Sequence, residues 1–390
     1  MSKLDELIKE LCPDGVKKFK IKDLFSISRG VVISKQDIID RSGDYPVYSS
    51  QTENNGELGK IDTYSFNGEY LTWTTDGANA GTVFYRSGKF NVTNVCGILK
   101  SNSEEVLAKY VYHSLKVEAL KYVRSGMGNP KLMSNVMGEI LIPLPPLPVQ
   151  KEIVRILDSF TELTAELTAE LTARKKQYDY YRDSLLTFCA DFQLVQLGTI
   201  GKVKMCKRIL KEQTAEDGDI PFYKIGTFGK SPDSYITKQL FEEYRSKYSY
   251  PKVGEILISA SGTIGRTVIF DGIDAYFQDS NIVWIENDES LVLNKYLFYF
   301  YKIAKWYVAE GGTIQRLYND NLKKTLIPIP YYGDKDKSLN EQQRIVNILD
   351  RFDILCNDIS KGLPAEIKAR QQQYEYYRDK LLNFKELNCE

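Results

Sequence analysis

The sequence predicts an α+β protein in which two similar globular modules are each followed by a long helix. Two observations come from internal repetition: residues 150–160 match residues 342–352 at seven of eleven positions, and residues 173–186 match residues 369–382 around a shared Tyr-Tyr-Arg-Asp core. The third is that the segments before each repeat alternate β-branched or aromatic residues with polar ones, which is typical of short strands. The chain is therefore expected to be internally duplicated.

The modules and the helices follow one another in a simple order. The boundaries predicted from the sequence are 1–15 for an N-terminal helix, 16–148 for the first module, 149–190 for a central helix, 191–338 for the second module and 339–390 for a C-terminal helical region. A chain of 390 residues is long enough for two domains of ordinary size with connecting helices.

Within each module the strands are expected first and a helix afterwards. The predicted strands are 45–50, 69–74 and 81–85 in the first module, and 220–223, 255–259 and 266–270 in the second. The predicted helices are 107–123 and 294–309. Residues 141–145 correspond to 326–330, and residues 90–94 are matched to 277–281, so the modules share a plan.

An apolar stripe runs along the predicted central helix, about residues 149–188. Ile153, Leu157 and Phe160 recur at spacings of three and four residues, and the second copy repeats the stripe from Ile345 onward. About 40 helical residues span ~60 Å, which is longer than a small domain. The two copies are therefore expected to pack together as a coiled coil, and not each on its own module alone.

The two helical regions differ in length by four residues. The first pair of matching blocks lies 192 positions apart and the second pair 196. The first copy contains Thr-Ala-Glu-Leu repeats over residues 164–171, whereas the second carries Lys361-Gly362-Leu363-Pro364. Proline lacks an amide hydrogen and disfavours the helical conformation in the residue before it, so the second helix is expected to break or kink there.

The composition limits the kinds of site that the chain can carry. The formal net charge is zero, so DNA binding would depend on local patches or on charge supplied by a partner. The single histidine, His113, excludes histidine-clustered metal sites and is expected to be structural. The six cysteines lack a C-x-x-C pair and are expected to be reduced and mostly buried. With no signal peptide and no apolar run of about 18 residues, a cytoplasmic location is expected.

Motifs for catalysis are missing from the sequence. The Asn/Asp-Pro-Pro-aromatic tetrapeptide that a DNA methyltransferase needs does not occur. Pro232-Asp233 and Glu366-Ile367-Lys368 match parts of a nuclease pattern, but the second part lies far downstream on a predicted helix. The glycine-rich stretches 77–81 and 262–266 are not phosphate-binding loops, and they suit hairpin turns as well as a close approach of backbone to DNA. The chain is therefore not expected to be an enzyme.

The repeated motifs resemble the specificity subunit of type I restriction-modification enzymes. The likeness rests on the Gln-x-x-Ile-Val-x-Ile-Leu-Asp-x-Phe blocks, the Thr-Ala-Glu-Leu tetrapeptides and the Arg-x-x-Gln-Tyr-x-Tyr-Tyr-Arg-Asp-x-Leu-Leu blocks. It extends to residues 11–16 and 73–83, and so covers nearly the whole chain.

The resemblance implies two target-recognition domains, each binding one half of a bipartite double-stranded DNA sequence, separated by helices that form an antiparallel coiled coil. It also implies that two methyltransferase subunits, which carry S-adenosylmethionine, dock on the chain. Two translocating nuclease subunits would complete the restriction enzyme. The chain itself would hold no cofactor and no metal, and it would not contact a membrane.

Polar side chains in the predicted turns are the candidates for base contacts, because Asn, Gln, Ser, Thr, Arg and Lys can bond to base edges. By position in the resemblance, the DNA-binding residues are Ser49, Ser50, Gln51, Thr74, Thr75, Asn79 and Lys131 in the first module, and Lys224, Thr227, Ser259, Ser261, Thr263, Gln315 and Arg316 in the second. About half of them are expected to stabilise turns instead. Tyr178 and Tyr181, with their counterparts Tyr374 and Tyr377, are expected to serve helix packing or partner docking.

One Thr-Ala-Glu-Leu unit adds ~6 Å of helix, and two base pairs of B-DNA span about 6.8 Å. The helix is therefore expected to set the length of the unread spacer between the half-sites. Two other interpretations stay open at this point. One is a coiled-coil scaffold that holds proteins without selecting DNA, and the other is a stand-alone DNA-modifying enzyme.

Overall fold

A computed structural model of the chain describes residues 2–124, 128–187, 191–308 and 315–387. The chain forms two compact units, the first made of Met1–Thr168 with Glu366–Glu390 and the second of Ala169–Ala365. Each unit contains one of the two predicted modules. The compact units group the last residues of the chain with the first module, which is a different division from the one predicted from the sequence. The predicted boundaries therefore remain predictions.

The elements up to the end of the long helix alternate short strands and helices. They are α1 (Lys3–Leu11), β1 (Lys18–Lys20), α2 (Ile21–Leu24), β2 (Phe25–Arg29), α3 (Lys35–Asp40), β3 (Ser42–Tyr48), β4 (Glu57–Ile61), β5 (Phe66–Thr74), β6 (Val83–Val92), β7 (Cys96–Ser101), α4 (Ala108–Lys121), α5 (Ser134–Glu139), β8 (Leu141–Pro143) and α6 (Leu147–Thr187).

The rest of the chain repeats this plan with shorter strands. Its elements are β9 (Phe192–Gln196), α7 (Leu197–Ile200), β10 (Lys202–Lys204), β11 (Ile220–Tyr223), β12 (Tyr235–Ile236), α8 (Lys238–Lys247), β13 (Ile256–Ser259), β14 (Thr267–Ile269), β15 (Tyr276–Phe277), β16 (Ile282–Glu286), α9 (Asn294–Tyr301), α10 (Asn319–Lys324), β17 (Leu326–Pro330), α11 (Lys335–Asn357) and α12 (Leu363–Leu381).

The main sheet of the first unit has six strands in the order β2-β7-β5-β6-β3-β4. Only β3 and β6 run parallel, with Tyr48 opposite Val92. The second unit divides this plan into a four-stranded sheet, β10-β16-β13-β14, and a three-stranded sheet, β12-β11-β15, in which β11 and β15 run parallel. The predicted α+β class is confirmed.

A buried tryptophan organises the core of the first unit. Trp73 is fully buried among residues of β5, β7 and α4, and its Nε1 donates to the carbonyl of Leu132 at 2.9 Å. Gly97 lies against the ring, where an added Cβ would come within 2.0 Å of the indole. Only glycine fits between this strand and the tryptophan.

Repeated polar residues fix α6 to the first module. Gln150 accepts from the backbone N–H of Leu107 at 2.9 Å and so caps the start of α4. About two turns beyond Gln150, Asp158 accepts from Lys109 at 2.6 Å and contacts Nε2 of His113 at 3.1 Å. His113 is buried and its Nδ1 lies 3.0 Å from the hydroxyl of Tyr374. The structural role predicted for this histidine is confirmed.

The second unit uses the same contacts at the matching positions. Gln342 accepts from the N–H of Leu293 at 2.9 Å, and Asp350 accepts from Lys295 at 2.8 Å and from the hydroxyl of Tyr299 at 2.5 Å. Tyr299 therefore replaces His113. The identical glutamine and aspartate of the repeated blocks are explained by these helix-fixing bonds.

The helices pack in an antiparallel manner within each unit. In the first unit Tyr374 of α12 reaches Asp158 through His113. Leu382, just after α12, and Pro143, shortly before α6, line one cavity of about 310 Å³. In the second unit Tyr181 stacks on Phe352 with ring centroids 5.6 Å apart. Burial raises the pKa of the Cys356 thiol, which lies later in α11, and the charge of Lys175, which lies earlier in α6, opposes this rise. The predicted antiparallel packing is confirmed.

The predicted break in the second helical region is also confirmed. Helix α11 ends at Asn357 and α12 begins at Leu363, so Pro364 lies in the first helical turn, where its missing amide hydrogen costs no bond. Gly362 is packed against the preceding helix, and an added Cβ would come within 2.3 Å of the Ile354 carbonyl oxygen.

Two sequence predictions were wrong. The helix predicted over 294–309 ends at Tyr301. The chain turns there, and Trp306 packs against the Tyr301 ring and the backbone of Gly265. Residue 309 of this prediction and residue 188 of the predicted central helix lie outside the described residues. The match of residues 90–94 to 277–281 is out of register by two residues. Tyr48 pairs with Val92, and its counterpart Tyr223 pairs with Phe277, so the structural counterpart of Phe277 is Val92 and not Phe90.

Four of the cysteines, Cys12, Cys96, Cys206 and Cys356, are buried free thiols, as predicted. Cys189 and Cys389 lie outside the described residues. Across the helices that the structure describes, none combines the length and the apolar character that crossing a membrane requires.

Candidate nucleic-acid interface

Four segments of the first module meet at one end of its main sheet. They are 49–52 after β3, 75–82 between β5 and β6, 93–95 between β6 and β7, and the strand-like residue Lys131; together they are called the first loop face. Asn79 donates to the Thr52 hydroxyl at 3.1 Å, and the Thr75 hydroxyl donates to the carbonyl of Val95 at 2.9 Å. Asp76 forms a backbone bridge with Lys131.

The second module brings matching segments together. They are 224–227, 260–266, 278–281 and Arg316, called the second loop face. The Gln278 side chain accepts from the N–H of Ile225 at 3.0 Å, and the Ser261 hydroxyl donates to Asn281 at 2.7 Å. Ser261 and Arg316 form the same backbone bridge as Asp76 and Lys131. The structure thus brings together the predicted site residues of each module.

A buried hydroxyl holds the central turn of each loop face. Thr74 donates to the carbonyl of Asn79 and accepts from the N–H of Thr82 at 3.1 Å. Ser259 donates to the carbonyl of Thr263 at 2.5 Å and accepts from the N–H of Arg266 at 2.9 Å. Both hydroxyls donate and accept inside the protein, which favours a turn-stabilising role for Thr74 and Ser259.

The predicted DNA-binding residues fall into three groups by exposure. The exposed ones are Asn79, Lys131, Thr263, Gln315 and Arg316; the half-buried ones are Ser49, Ser50, Gln51, Lys224 and Thr227; the buried ones are Thr74, Thr75, Ser259 and Ser261. The first group is the one free to touch a duplex without rearrangement. Base contact by any of them remains a prediction.

A basic cleft of about 430 Å³ opens in the second loop face. Its lining includes the predicted Lys224 and Arg316, together with Arg208, Lys211 and Gln278, which the sequence analysis did not select. No motif marks residues 208–211, and the pairing of β10 with β16 brings this segment to the cleft. Arg208 pairs with Asp279 at 2.9 Å, so its guanidinium is held at the edge of the cleft.

A buried cation lies beneath the first loop face. The Arg86 guanidinium is stacked 3.6 Å from the Tyr48 ring centroid and 4.5 Å from that of Phe84, and its Nε donates to Thr72 at 3.2 Å. Its two terminal nitrogens find no hydrogen-bond partner among the described residues. Burial lowers the pKa of Arg86 to about 10, so the side chain keeps its positive charge at neutral pH.

Metal ligands do not cluster in the described parts of the chain: no three His, Cys, Asp or Glu side chains come together in a way that could hold an ion there. The loop faces contain turns, amides, hydroxyls and cations. Chemically they can donate and accept hydrogen bonds and attract phosphate.

Comparisons with known proteins agree on one family. The model of the type I restriction modification DNA specificity domain matches residues 13–174 and again residues 190–369. A putative type I restriction enzyme specificity subunit of Haemophilus influenzae is 52% identical over 354 residues, covering 88% of this chain and 89% of that protein. A putative type I specificity subunit of Mycoplasma pneumoniae is 34% identical over 374 residues, covering 95% of this chain and 98% of that protein.

A solved structure shares the fold. The crystal structure of a type I restriction-modification system S subunit from M. genitalium superposes with a TM-score of 0.58 at 16% identity, covering 94% of this chain and 96% of that chain. The repetition of the family match in both halves agrees with the duplication seen in the sequence and in the paired loop faces.

Proposed function

The chain belongs to the family of type I restriction-modification DNA specificity subunits, and from this premise we propose that each of its modules binds one half of a bipartite DNA target. In this family the specificity chain is the non-catalytic component that supplies DNA recognition. The observation that carries the proposal is the pair of loop faces, which share a turn held by a buried hydroxyl but differ in the side chains that they expose.

The differences between the loop faces suit two different half-sites. Asn79 and Lys131 are exposed on the first, and Thr263, Gln315 and Arg316 on the second. Asparagine is suited to adenine, and arginine and lysine to guanine, when they bond in the major groove. Two scaffolds of one geometry with different exposed donors and acceptors would select two different short sequences.

The helices would set the spacer and dock the methyltransferase subunits. Tyr178 and Tyr374 are buried in helix packing, but Tyr180 and Tyr376 of the same repeated motif are 70% and 63% exposed. Helix packing does not account for an exposed tyrosine repeated at both sites. Two equivalent exposed sites fit two copies of one partner, as a pair of methyltransferase subunits would require.

In the proposed assembly the methyltransferase subunits carry S-adenosylmethionine and modify adenine, and two translocating nuclease subunits complete the restriction enzyme. The chain would contribute no cofactor. Its zero net charge is compatible with partners that share the contacts to phosphate. The cytoplasmic location expected from the sequence stays a prediction.

Co-expression with the methyltransferase subunit, followed by mapping of methylated adenines, tests the proposal. We expect a motif of two short sequences separated by an unread spacer. Arg316→Ala should relax one half-site and Lys131→Ala the other, since each lies on a different loop face. A single continuous motif would contradict half-site binding, and methylation without sequence preference would support the scaffold interpretation.

Docking has its own test. Tyr180→Ala with Tyr376→Ala should weaken co-purification of the methyltransferase subunit, while Glu166→Ala on an exposed part of α6 should not. Unchanged co-purification in the double variant would contradict the assigned surface, and it would leave the half-site proposal standing.

A further inference from the structure

Two neighbouring valines project from the edge of the first loop face. Val31 is 58% exposed and Val32 is 77% exposed, just after β2 ends at Arg29. The N–H of Val31 donates to the carbonyl of Val92 at 3.1 Å, and Val31 forms a backbone bridge with Thr93. Thr93 begins segment 93–95 of the first loop face, so the valines continue this surface.

The backbone holds the valines firmly in this place. Gly30 lies so close to the loop face that an added Cβ would come within 1.9 Å of the Val92 carbonyl oxygen. After the valines, Ser34 begins helix α3 with a capping box, in which its hydroxyl accepts from the N–H of Asp37 at 3.0 Å. The segment is fixed at both ends, which presents the two apolar side chains to solvent at low conformational freedom.

The second module has cations at the matching positions. There the segment runs from β10 to a capped turn in which the Leu210 N–H donates to Gln213 at 2.8 Å, as Ser34 and Asp37 do in the first module. Counting back from these caps, Lys207 and Arg208 match Val31 and Val32. Arg208 lines the basic cleft of the second loop face. The position is therefore part of the loop face in both modules, apolar in one and cationic in the other.

We propose that Val31 and Val32 contact the 5-methyl groups of thymine in the half-site bound by the first module, an inference that rests on the proposed function. The thymine methyl is the apolar feature of the major groove, and apolar side chains recognise it by contact. Exposed cations, Arg29 and Lys35, flank the valines and suit the phosphates on either side of a groove. The apolar surface of a partner protein would not complement the positive charges of Arg29 and Lys35 beside the valines.

The experiment uses the full chain assembled with its methyltransferase subunits, after the methylated motif is known. The half-site that Lys131→Ala relaxes is assigned to the first module. Duplexes in which uracil replaces thymine at each position of that half-site differ only by one methyl group. Binding is measured for the wild type, for Val31→Ser with Val32→Ser, and for Val253→Ser, which changes an equally exposed valine of the second module outside its loop face.

For the wild type and for Val253→Ser, we expect uracil at one or more positions to lower affinity by about fourfold per methyl group, from the transfer free energy of one buried methyl. The double serine variant should bind the thymine duplex more weakly and should no longer distinguish thymine from uracil. Its melting temperature should match the wild type because both valines are exposed.

Thymine-uracil discrimination that persists in the double serine variant would overturn the proposal. So would a first half-site without thymine, or a wild type that is indifferent to uracil throughout it. Loss of methyltransferase binding with discrimination unchanged would assign the valines to a protein partner instead. Failure of the proposed function is distinguishable, since it would appear earlier as the absence of any bipartite motif.

Discussion

Single residues divide into those that build a loop face and those that it exposes. Ser259 belongs to the first kind, because its hydroxyl joins the Thr263 carbonyl and the Arg266 amide. Ser259→Ala would remove the buried hydroxyl that bonds to both groups. We expect the free energy of unfolding to fall by about 1–3 kcal/mol in urea titration.

Thr263→Ala, on the exposed part of the same turn, is the matched control and should change stability by less than about 0.5 kcal/mol. A Ser259→Ala variant of full stability that lost DNA selectivity would show that the hydroxyl contacts bases after all.

His113 makes the stability of the first unit depend on pH. Burial lowers the pKa of His113 below its ordinary value of 6.5, against the opposing influence of Asp158. The unfolded chain therefore binds a proton more readily than the folded chain, and stability is lost as pH falls through and below 6.5. Lys116 and Lys109 add to the lowering of the pKa, and Tyr374 is uncharged at this pH.

Because the chain has only one histidine, His113→Gln isolates the effect. The variant should unfold at a lower denaturant concentration at pH 7.5, but its midpoint should fall less than that of the wild type between pH 7.5 and 5.5. Parallel pH profiles for the two proteins would refute this assignment.

Residue types in the sequence predicted where the loop faces lie better than they predicted which residues are buried in turns and which are exposed. Polar turns identified both loop faces, but Thr74 and Asn79 look equally suitable in the sequence, and only burial separates them. Arg208 and Lys211 could not be found, because their position depends on strand pairing between distant segments. Arg86 lies in a strand without any motif, and nothing in the sequence marks its two terminal nitrogens, which have no hydrogen-bond partner in the described part of the chain.

At the level of elements, periodicity and proline chemistry predicted the helices well. The apolar stripe predicted α6 and Pro364 predicted the break before α12, because both features depend on local geometry. The early end of α9 could not be predicted from the apolar run 296–301, since it depends on the packing of Trp306 against a turn far away in the sequence.

The turn between α11 and α12 depends on one glycine. Gly362→Ala would place a Cβ within 2.3 Å of the Ile354 carbonyl and 2.7 Å of the Leu355 carbonyl, both backbone atoms. We expect destabilisation of about 1–3 kcal/mol, since the end of α11 must move to make room. Chemical denaturation of the variant and the wild type measures this difference in the free energy of unfolding.

Gly333→Ala provides the comparison. Gly333 also precedes a long helix, but an added Cβ there would meet no atom within 4 Å. This variant should be as stable as the wild type or slightly more stable. Equal effects of the two substitutions would show that the close approach at Gly362 does not matter.

At the level of the whole molecule, the last helix belongs to the first unit. The stretch Glu366–Glu390 groups with Met1–Thr168, and Phe160 of α6 stacks on Tyr377 of α12 at 5.4 Å. The repeat predicted that the two helical copies would pair. It could not show that the end of the second copy packs beside the start of the first, because both copies carry the same apolar stripe.

The boundary between the units falls inside the Thr-Ala-Glu-Leu repeats of α6, between Thr168 and Ala169. Deleting residues 164–167 joins Leu163 to Thr168 and keeps the repeat pattern, so the helix should form as before but be one turn, ~6 Å, shorter. Both loop faces lie outside the deletion and should keep their half-sites. At 3.4 Å per base pair, a loss of ~6 Å corresponds to nearly two base pairs, so the unread spacer should shorten by about one to two base pairs.

Methylome sequencing of the chain co-expressed with the methyltransferase subunit measures the half-site sequences and the spacer length in one experiment. Thr164→Ala with Glu166→Ala, which keeps the helix length, should leave the spacer unchanged. Altered half-sites with an unaltered spacer would contradict the idea that helix length sets the spacing. Loss of all methylation in the deletion variant, with half-sites still bound in gel-shift assays, would instead mean that the shortened helix no longer holds both methyltransferase subunits in register with the DNA.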